Sequence, residues 1–144
     1  MSRVEKSTTI QSDPGVAMEY IADVTNHPAF IGPLKSVTNL SGDSREPGTT
    51  WDWVFVMAGV EFSGKAETLE YLPGRRFRYR TTTGIRSTFE YWVEPEDGAS
   101  RLGVNVEYEV PEGLLARVQK AVVEKLNDAE GVRTIENLGA ILDG

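Results

Sequence analysis

The stretch WDWVFVMAGVEFSGKA, residues 51–66, places aromatic side chains at alternate positions before the pair Ala58-Gly59 and another aromatic side chain after it. Alternation with a period of two is typical of a β-strand that buries one face, and a small two-residue break is typical of a hairpin turn. With a turn at that pair, Phe55 lies opposite Phe62 on one face, and an aspartate lies opposite a lysine on the other. The stretch therefore predicts a hairpin with one aromatic face and one charged face.

The same alternation extends from residue 49 to residue 110, with further turn sequences at Pro73-Gly74, Thr83-Gly84 and residues 94–98. Treating each of these as a turn gives five strands of an antiparallel meander. A one-residue slip would move every side chain of a strand to the other face, so the pairing registers can be tested against the sequence. Four successive registers bring opposite charges together on one face. They collect most of the aromatic residues on the other face: Trp51, Trp53, Phe55, Phe62, Phe77, Tyr79, Phe89, Tyr91 and Tyr108.

The segment before the meander adds two strands and two short helices to this prediction. Residues 3–11 mix β-branched and polar side chains, which is typical of a strand. Asp13-Pro14 is a typical helix start, and the helix that follows should end near Asn26, because a proline disfavours helix at the residue before it. The stretch HPAFIGPL, residues 27–34, predicts one short helical turn, and a strand follows at about residues 35–41.

A long helix is predicted after Pro111, because apolar residues recur there every three or four positions. The direction of its apolar stripe changes at Gly131. At about 100° per residue, one group of apolar residues centres on one face of the helix: Leu115, Val118, Val122, Leu126 and Ala129. The second group, Ile135, Leu138 and Leu142, lies more than about 100° away around the helix axis. Either the helix bends at the glycine, or its first half covers something other than a packed core, or the glycine is incidental within a broad stripe.

An aromatic sheet face of this size needs a cover, and the C-terminal helix is the only large one. We therefore expect a cavity between sheet and helix, with hydroxyls as the main polar groups and Glu70 as the only ionisable side chain turned inward. A ligand bound there would be largely apolar and oriented by a few hydrogen bonds, whereas an ordinary packed core is the alternative. The residues expected to contact a ligand are Trp51, Trp53, Phe55, Phe62, Thr68, Phe77, Tyr79, Thr81, Phe89, Tyr91, Tyr108, Val118 and Val122.

The composition argues against several other kinds of site. The chain has no cysteine and one histidine, so we expect neither a disulfide nor a bound metal, and no cofactor. A net charge of -7 makes nucleic acid a poor partner. The longest apolar stretch, residues 54–60, is too short to cross a bilayer, and the N-terminus lacks a signal core, so we expect no membrane insertion and a cytoplasmic location.

Four motifs carry a family resemblance: Ser-Asp-Pro before the first helix, His-Pro-Ala-Phe-Ile-Gly-Pro after it, Leu-Pro-Gly-Arg-Arg-Phe-Arg-Tyr-Arg at 72–80, and Arg-Thr-Ile-Glu-Asn-Leu near the end. Together with the element order, they resemble the START-like or Bet v 1-like superfamily (SRPBCC). The closest likeness is to its polyketide cyclase/dehydrase and lipid-transport family, in the branch of the coenzyme Q-binding proteins.

The resemblance implies an α+β helix-grip fold. In that fold, a seven-stranded antiparallel sheet wraps around a long C-terminal helix, with two short helices after the first strand and a lipophilic cavity inside. A single domain is expected over residues 1–144. The resemblance also implies that His27, Phe30 and Pro33 shape the cavity rim, and that His27 replaces a tyrosine common in the family.

Two functions are compatible with these features. The inner face offers no carboxylate pair, lysine or well-placed histidine for acid–base catalysis, so the leading hypothesis is binding or transport of a hydrophobic small molecule. An isoprenoid, a fatty acid, an aromatic polyketide and a sterol-like compound are the candidates. The alternative is an aromatase/cyclase that folds a poly-β-ketone chain in the cavity, where Tyr79 or Tyr91 polarises a carbonyl.

Overall fold

The computed structural model describes residues 1–144 and consists of one seven-stranded sheet and four helices. In chain order the elements are β1 (Ser2–Ile10), α1 (Pro14–Ala22), α2 (His27–Phe30), β2 (Leu34–Thr38), β3 (Thr50–Met57), β4 (Val60–Leu72), β5 (Arg76–Thr81), β6 (Ser87–Glu96), β7 (Ala99–Tyr108), α3 (Glu112–Leu115) and α4 (Lys120–Asp143). The strands lie in the order β1-β7-β6-β5-β4-β3-β2, and every neighbouring pair is antiparallel. This is the predicted α+β helix-grip architecture.

The predicted meander is confirmed, together with three of its four registers and part of the fourth. Phe55 lies opposite Phe62 across the first hairpin, and Tyr79 lies opposite Phe89 between β5 and β6. In the last hairpin Trp92 lies opposite Gly103, whose missing side chain leaves room for the indole. The outer face carries the expected ion pairs between neighbouring strands. Their side chains are largely exposed, so each contributes little to stability.

One register is interrupted by a β-bulge, and this corrects the prediction for Glu70. Thr68 lies opposite Tyr79 as expected, but Glu70 lies opposite Arg78, so β4 contains one extra residue between these pairs. The bulge turns Glu70 to the outer face, where its carboxylate accepts a hydrogen bond from Arg76 Nε at 2.7 Å. Tyr71 takes the inner position instead. The expectation of an inward Glu70 was wrong because a bulge shifts every following side chain by one position.

The first helix is shorter than the sequence suggested, whereas α2 is the single helical turn predicted for residues 27–34. Asp13 caps α1 by accepting a hydrogen bond from the Gly15 backbone N–H at 3.0 Å, as predicted for the Asp-Pro start. The helix ends at Ala22, and a 3-10 turn over residues 24–26 leads directly into α2. His27 adopts a helical backbone conformation despite the proline that follows it. This arrangement buries the histidine side chain under the sheet.

The C-terminal helix is not continuous from Pro111. A short helix, α3, is separated from α4 by residues 116–119, and α4 packs along β1 and against α2. Its buried residues are Val123, Thr134, Ile135 and Leu138. The first half of the predicted apolar stripe faces solvent instead, with Leu115, Val122 and Leu126 each more than two-fifths exposed. The buried side chains of the second half therefore determine how the helix is rotated.

Gly131 is a point of close approach between α4 and β1 rather than an incidental residue. A Cβ atom at this position would lie 2.5 Å from Val4 Cγ1, which is too close unless the Val4 side chain, the helix or the strand shifts. We expect Gly131→Ala to lower the free energy of unfolding by about 1–3 kcal/mol, the usual cost of overpacking. Urea denaturation measures this directly.

Gly139 provides the matched control in the same helix. A Cβ atom there meets no other atom within 4 Å, so Gly139→Ala should raise the free energy of unfolding by about 0.5–1 kcal/mol through helix propensity. If both substitutions stabilised the protein equally, the close packing of α4 on β1 would be contradicted.

Candidate ligand-binding cavity

A cavity of about 110 Å³ lies between the concave face of the sheet, α2 and the middle of α4. It is lined by 23 residues, 15 of them hydrophobic. Pockets that bury a drug-sized ligand are usually larger, roughly 300–1,000 Å³. In this conformation the cavity therefore matches a small ring system, and a larger ligand would require the walls to move apart.

Most of the residues expected at a ligand site line this cavity. The sheet supplies seven of the expected aromatic side chains and one hydroxyl, and the segment after α1 supplies two rim residues: Trp51, Trp53, Phe55, Tyr79, Phe89, Tyr91, Tyr108, Thr81, His27 and Pro33. The registers bring them together because all the sheet residues among them belong to the inner face.

The other expected residues lie outside the cavity lining: Phe30, Phe62, Thr68, Phe77, Val118 and Val122. Phe30 and Phe77 are fully buried and pack against the His27 ring, with centroid separations of 5.0 and 6.1 Å. The Thr68 hydroxyl donates to the Ser44 carbonyl at 2.6 Å. Val122 faces solvent because α4 is rotated towards its second half. Phe62 and Val118 are partly buried against the core.

Several lining residues were not foreseen from the sequence. Val4, Val104 and Val106 could have been found, since the strand registers place them beside the inner aromatic residues. The contribution of α4 consists of polar or small residues: Asn127, Glu130, Gly131 and Thr134. Their spacing of three and four is that of one helix face, but their polarity gave no hydrophobic signal.

His27 is held in a single neutral form. Its Nε2 lies 2.7 Å from the Ile21 carbonyl oxygen, which can only accept, so Nε2 carries the proton and donates it. Four aromatic rings surround the imidazole within about 6 Å: Phe30, Phe77, Tyr79 and Tyr91. Burial in these surroundings lowers the pKa of His27 to about 4, despite opposing effects of the Ile21 carbonyl and Asp23. The side chain is therefore an uncharged part of the cavity wall at neutral pH.

The three tyrosines of the lining are also uncharged. Burial raises the pKa of Tyr79 well above its ordinary value, and a smaller contribution comes from the neighbouring Tyr91. Burial alone raises the pKa of Tyr91. It raises that of Tyr108 too, partly offset by the nearby polar side chains of Asn127 and Ser2. All three hydroxyls keep their protons at neutral pH and can donate hydrogen bonds.

The polar atoms of the lining fall into two groups. Within the first group, the hydroxyls of Thr81 and Ser87 lie 2.8 Å apart and bond to each other, and the Thr134 hydroxyl donates to the carbonyl of Glu130. In the second group, four buried polar atoms have no protein partner: Trp53 Nε1, the hydroxyl oxygens of Tyr91 and Tyr108, and Asn127 Nδ2. A buried polar atom without a hydrogen-bond partner costs free energy, so these four atoms identify places where a bound molecule could form hydrogen bonds.

Glu130 is the only acidic side chain of the lining, and no lysine or arginine contributes to it. Its carboxylate forms an ion pair with Arg133, three residues further along α4. No cluster of side chains in the protein could hold a metal ion. None of its helices has the length and apolar character needed to span a membrane.

An antiparallel sheet wrapped around a C-terminal helix, with an apolar cavity between them, defines the helix-grip class of START-like and Bet v 1-like proteins. The chain belongs to the family described as polyketide cyclase / dehydrase and lipid transport, whose model matches residues 1–143. A comparison with curated proteins found no match.

Three solved structures illustrate the likeness of the fold. TTHA0849 from Thermus thermophilus superposes with a TM-score of 0.80 at 19% sequence identity, over 97% of this chain and 96% of that one. A START superfamily protein from Mycobacterium smegmatis gives 0.78 at 13% identity, over 99% and 97%. The di-domain ARO/CYC StfQ from the steffimycin biosynthetic pathway gives 0.74 at 14% identity, over 98% of this chain and 50% of that one.

Proposed function

We propose that this protein binds and transports a hydrophobic small molecule in the cavity between sheet and α4. The observation that supports this proposal most directly is the lining, in which apolar and aromatic side chains surround a small set of polar atoms without protein partners. A site of this composition gains affinity from apolar burial and orientation from a few hydrogen bonds. The family to which the chain belongs also includes lipid transport in its description.

The ligand is an isoprenoid, an aromatic polyketide or another lipid, and the volume of the cavity bears on how it is bound. A ligand of one or two rings fits within a cavity of about 110 Å³ with small side-chain adjustments, and a third ring requires the walls to move further apart. A longer chain requires an opening beside α4, whose first half has only a few buried residues to hold it. Organic extraction of the purified protein, followed by mass spectrometry, tests the proposal by identifying any molecule that copurifies with it.

A second candidate function, cyclisation of a poly-β-ketone chain, is favoured by the Tyr91 hydroxyl. Tyr91 lines the cavity, and its hydroxyl is buried without a protein partner. A substrate carbonyl that reached this hydroxyl would accept its hydrogen bond, which would stabilise charge that develops on the oxygen. The two groups of the lining that could remove a proton are poorly suited to do so, because burial lowers the pKa of His27 to about 4 and the Glu130 carboxylate is paired with Arg133. Formation of a cyclised product from a poly-β-ketone chain would favour this second function over transport.

A substitution that fills the cavity should abolish binding. Val106 lines the cavity between Val4 and Phe89, so Val106→Phe places a ring in the space that a ligand would occupy. Using the neutral fluorescent probe N-phenyl-1-naphthylamine, we expect the dissociation constant to rise by at least about tenfold, equivalent to ~1.4 kcal/mol. Fluorescence titration provides the measurement.

Thr88→Phe is the matched control. Thr88 lies on β6 next to Phe89 but points to the outer face, opposite Arg80 and Glu107. The same ring added there should leave the affinity for the probe within about twofold, which is ~0.4 kcal/mol. Equal losses in both variants, or no loss in Val106→Phe, would contradict binding within the cavity.

A further inference from the structure

Four of the residues that line the cavity carry a buried polar atom without a protein partner, and each of these four atoms can donate a hydrogen bond. Trp53 Nε1 and Asn127 Nδ2 carry hydrogens and have no lone pair to offer, so they can only donate. Tyr91 and Tyr108 keep their protons because both are buried. The Asn127 amide lies close to the Tyr108 hydroxyl but does not form a hydrogen bond with it. A hydrogen bond from the amide to the Tyr108 oxygen would leave the Tyr108 O–H free to donate to a ligand.

These donors are distributed over two separate parts of the wall. Trp53 lies on β3, whereas Tyr91 and Tyr108 lie on β6 and β7, with β4 and β5 between β3 and β6. Asn127 projects from α4 on the side of β7 and β1. Because three strand spacings of about 4.8 Å separate β3 from β6 along the sheet, we expect different acceptor atoms to serve the two parts of the wall. A ligand that satisfies the donors must carry acceptor atoms at two separated positions.

The same wall is unfavourable for an anion. Glu130 is the only charged side chain in the lining, and it is negative. His27 is neutral at physiological pH, and no lysine or arginine reaches the cavity. A carboxylate moved from water into this site would lose its hydration without gaining a positive partner, which is far more costly than burying a neutral carbonyl.

We infer that the cavity selects uncharged ligands that carry hydrogen-bond acceptors, such as carbonyl or ether oxygens, at two separated positions, and that it discriminates against carboxylic acids. This inference rests on the proposed function and narrows it. Among the candidate ligands, ionised fatty acids are excluded as preferred cargo, and neutral compounds with several carbonyl groups are favoured.

Four naphthalenes of similar shape test this selectivity by displacement of N-phenyl-1-naphthylamine: 2-ethylnaphthalene, 2-acetylnaphthalene, 2,6-diacetylnaphthalene and 2-naphthoate. We expect 2-acetylnaphthalene to bind about threefold to tenfold more tightly than 2-ethylnaphthalene, the usual gain from one hydrogen bond. The diketone should bind more tightly again, and 2-naphthoate should be the weakest ligand at pH 7.

Substitutions of the donors connect the selectivity with particular atoms. In Tyr91→Phe and Tyr108→Phe, the advantage of the ketones over 2-ethylnaphthalene should shrink, most of all in the double variant. Tyr71→Phe is the matched control, because its hydroxyl bonds to Glu19 at the surface and is not part of the lining. Since Tyr91→Phe removes a buried polar group without a partner, the melting temperature of the ligand-free protein should be unchanged or higher.

The outcomes separate this inference from the proposed function. If 2-naphthoate binds as tightly as 2-acetylnaphthalene, or if the diketone binds no more tightly than 2-ethylnaphthalene, the inference is wrong although the cavity binds ligands. If neither the fluorescent probe nor any of the four naphthalenes binds, the proposed function is wrong, and the inference fails with it.

Discussion

Gly64→Ala is expected to lower the free energy of unfolding by about 3 kcal/mol or more, the upper end of what overpacking usually costs. A Cβ atom on Gly64 would lie 2.2 Å from the carbonyl oxygen of Thr83 and 2.8 Å from Cζ2 of Trp53. The first of these atoms belongs to the backbone, so a change of rotamer cannot relieve the clash.

The chain cannot easily move away from Gly64, because two hydrogen bonds to Lys65, the next residue of β4, hold Thr82 and Thr83 against the strand. The Thr82 N–H donates to the Lys65 carbonyl at 2.7 Å, and the Lys65 N–H donates to the Thr83 hydroxyl at 2.9 Å. Alanine would have to break these bonds or push Trp53 into the cavity. Binding of N-phenyl-1-naphthylamine should therefore weaken together with stability.

Gly113→Ala is the appropriate comparison, since a Cβ atom on that residue of α3 meets nothing within 4 Å. Urea denaturation of both variants gives the two changes in stability, and the Gly113 variant should differ from the parent protein by less than about 1 kcal/mol. A Gly64→Ala protein as stable as the Gly113 variant would show that the 82–84 segment is not held against β4.

Acidification from pH 7 to pH 5 is expected to remove about 2 kcal/mol of stability through His27 alone. The pKa of this histidine is about 4 in the folded protein, against an ordinary value of 6.5. The folded state therefore binds fewer protons than the unfolded state between these two values. The stabilisation due to the neutral histidine is fully present above pH 6.5 and is lost as the pH falls towards 4.

The chain has only one histidine, which makes this contribution measurable. The free energy of unfolding in urea should be determined at intervals between pH 7 and pH 5, a range above the ordinary pKa values of aspartate and glutamate.

His27→Phe is the control for this prediction. It keeps a ring among the neighbouring aromatic side chains but leaves the buried Ile21 carbonyl without its donor. The variant should be less stable at pH 7 by about 1–3 kcal/mol, and its stability should change much less between pH 7 and pH 5. An equally steep pH dependence in the variant would mean that His27 is not buried in its neutral form.

The strand pairings could be predicted from the sequence because their determinants are local. Each turn lies within a few residues of the strands it connects, and the period of two then determines which side chains share a face. The inner aromatic residues Trp51, Trp53 and Tyr91 were found in this way. The bulge before Glu70 was missed, although it resolves an unfavourable pattern by turning a glutamate outward and Tyr71 inward.

The contribution of α4 to the cavity could not be predicted in this way. Its apolar residues predicted one orientation for the first half and another for the second, and the contacts of Ile135 and Leu138 with the core decided between them. Asn127 and Glu130 were thereby turned towards the cavity, and Val122 towards solvent.

The sequence alone determined the aromatic character of the inner face and the registers of the meander from β3 to β7, except at the bulge before Glu70, since periodicity and turn chemistry act between near neighbours along the chain. The tertiary structure decided the rotation of α4, the neutral burial of His27 and the four donors left without partners. These features depend on contacts between residues far apart in sequence, such as Gly131 with Val4, where steric fit and loss of hydration outweigh local preference.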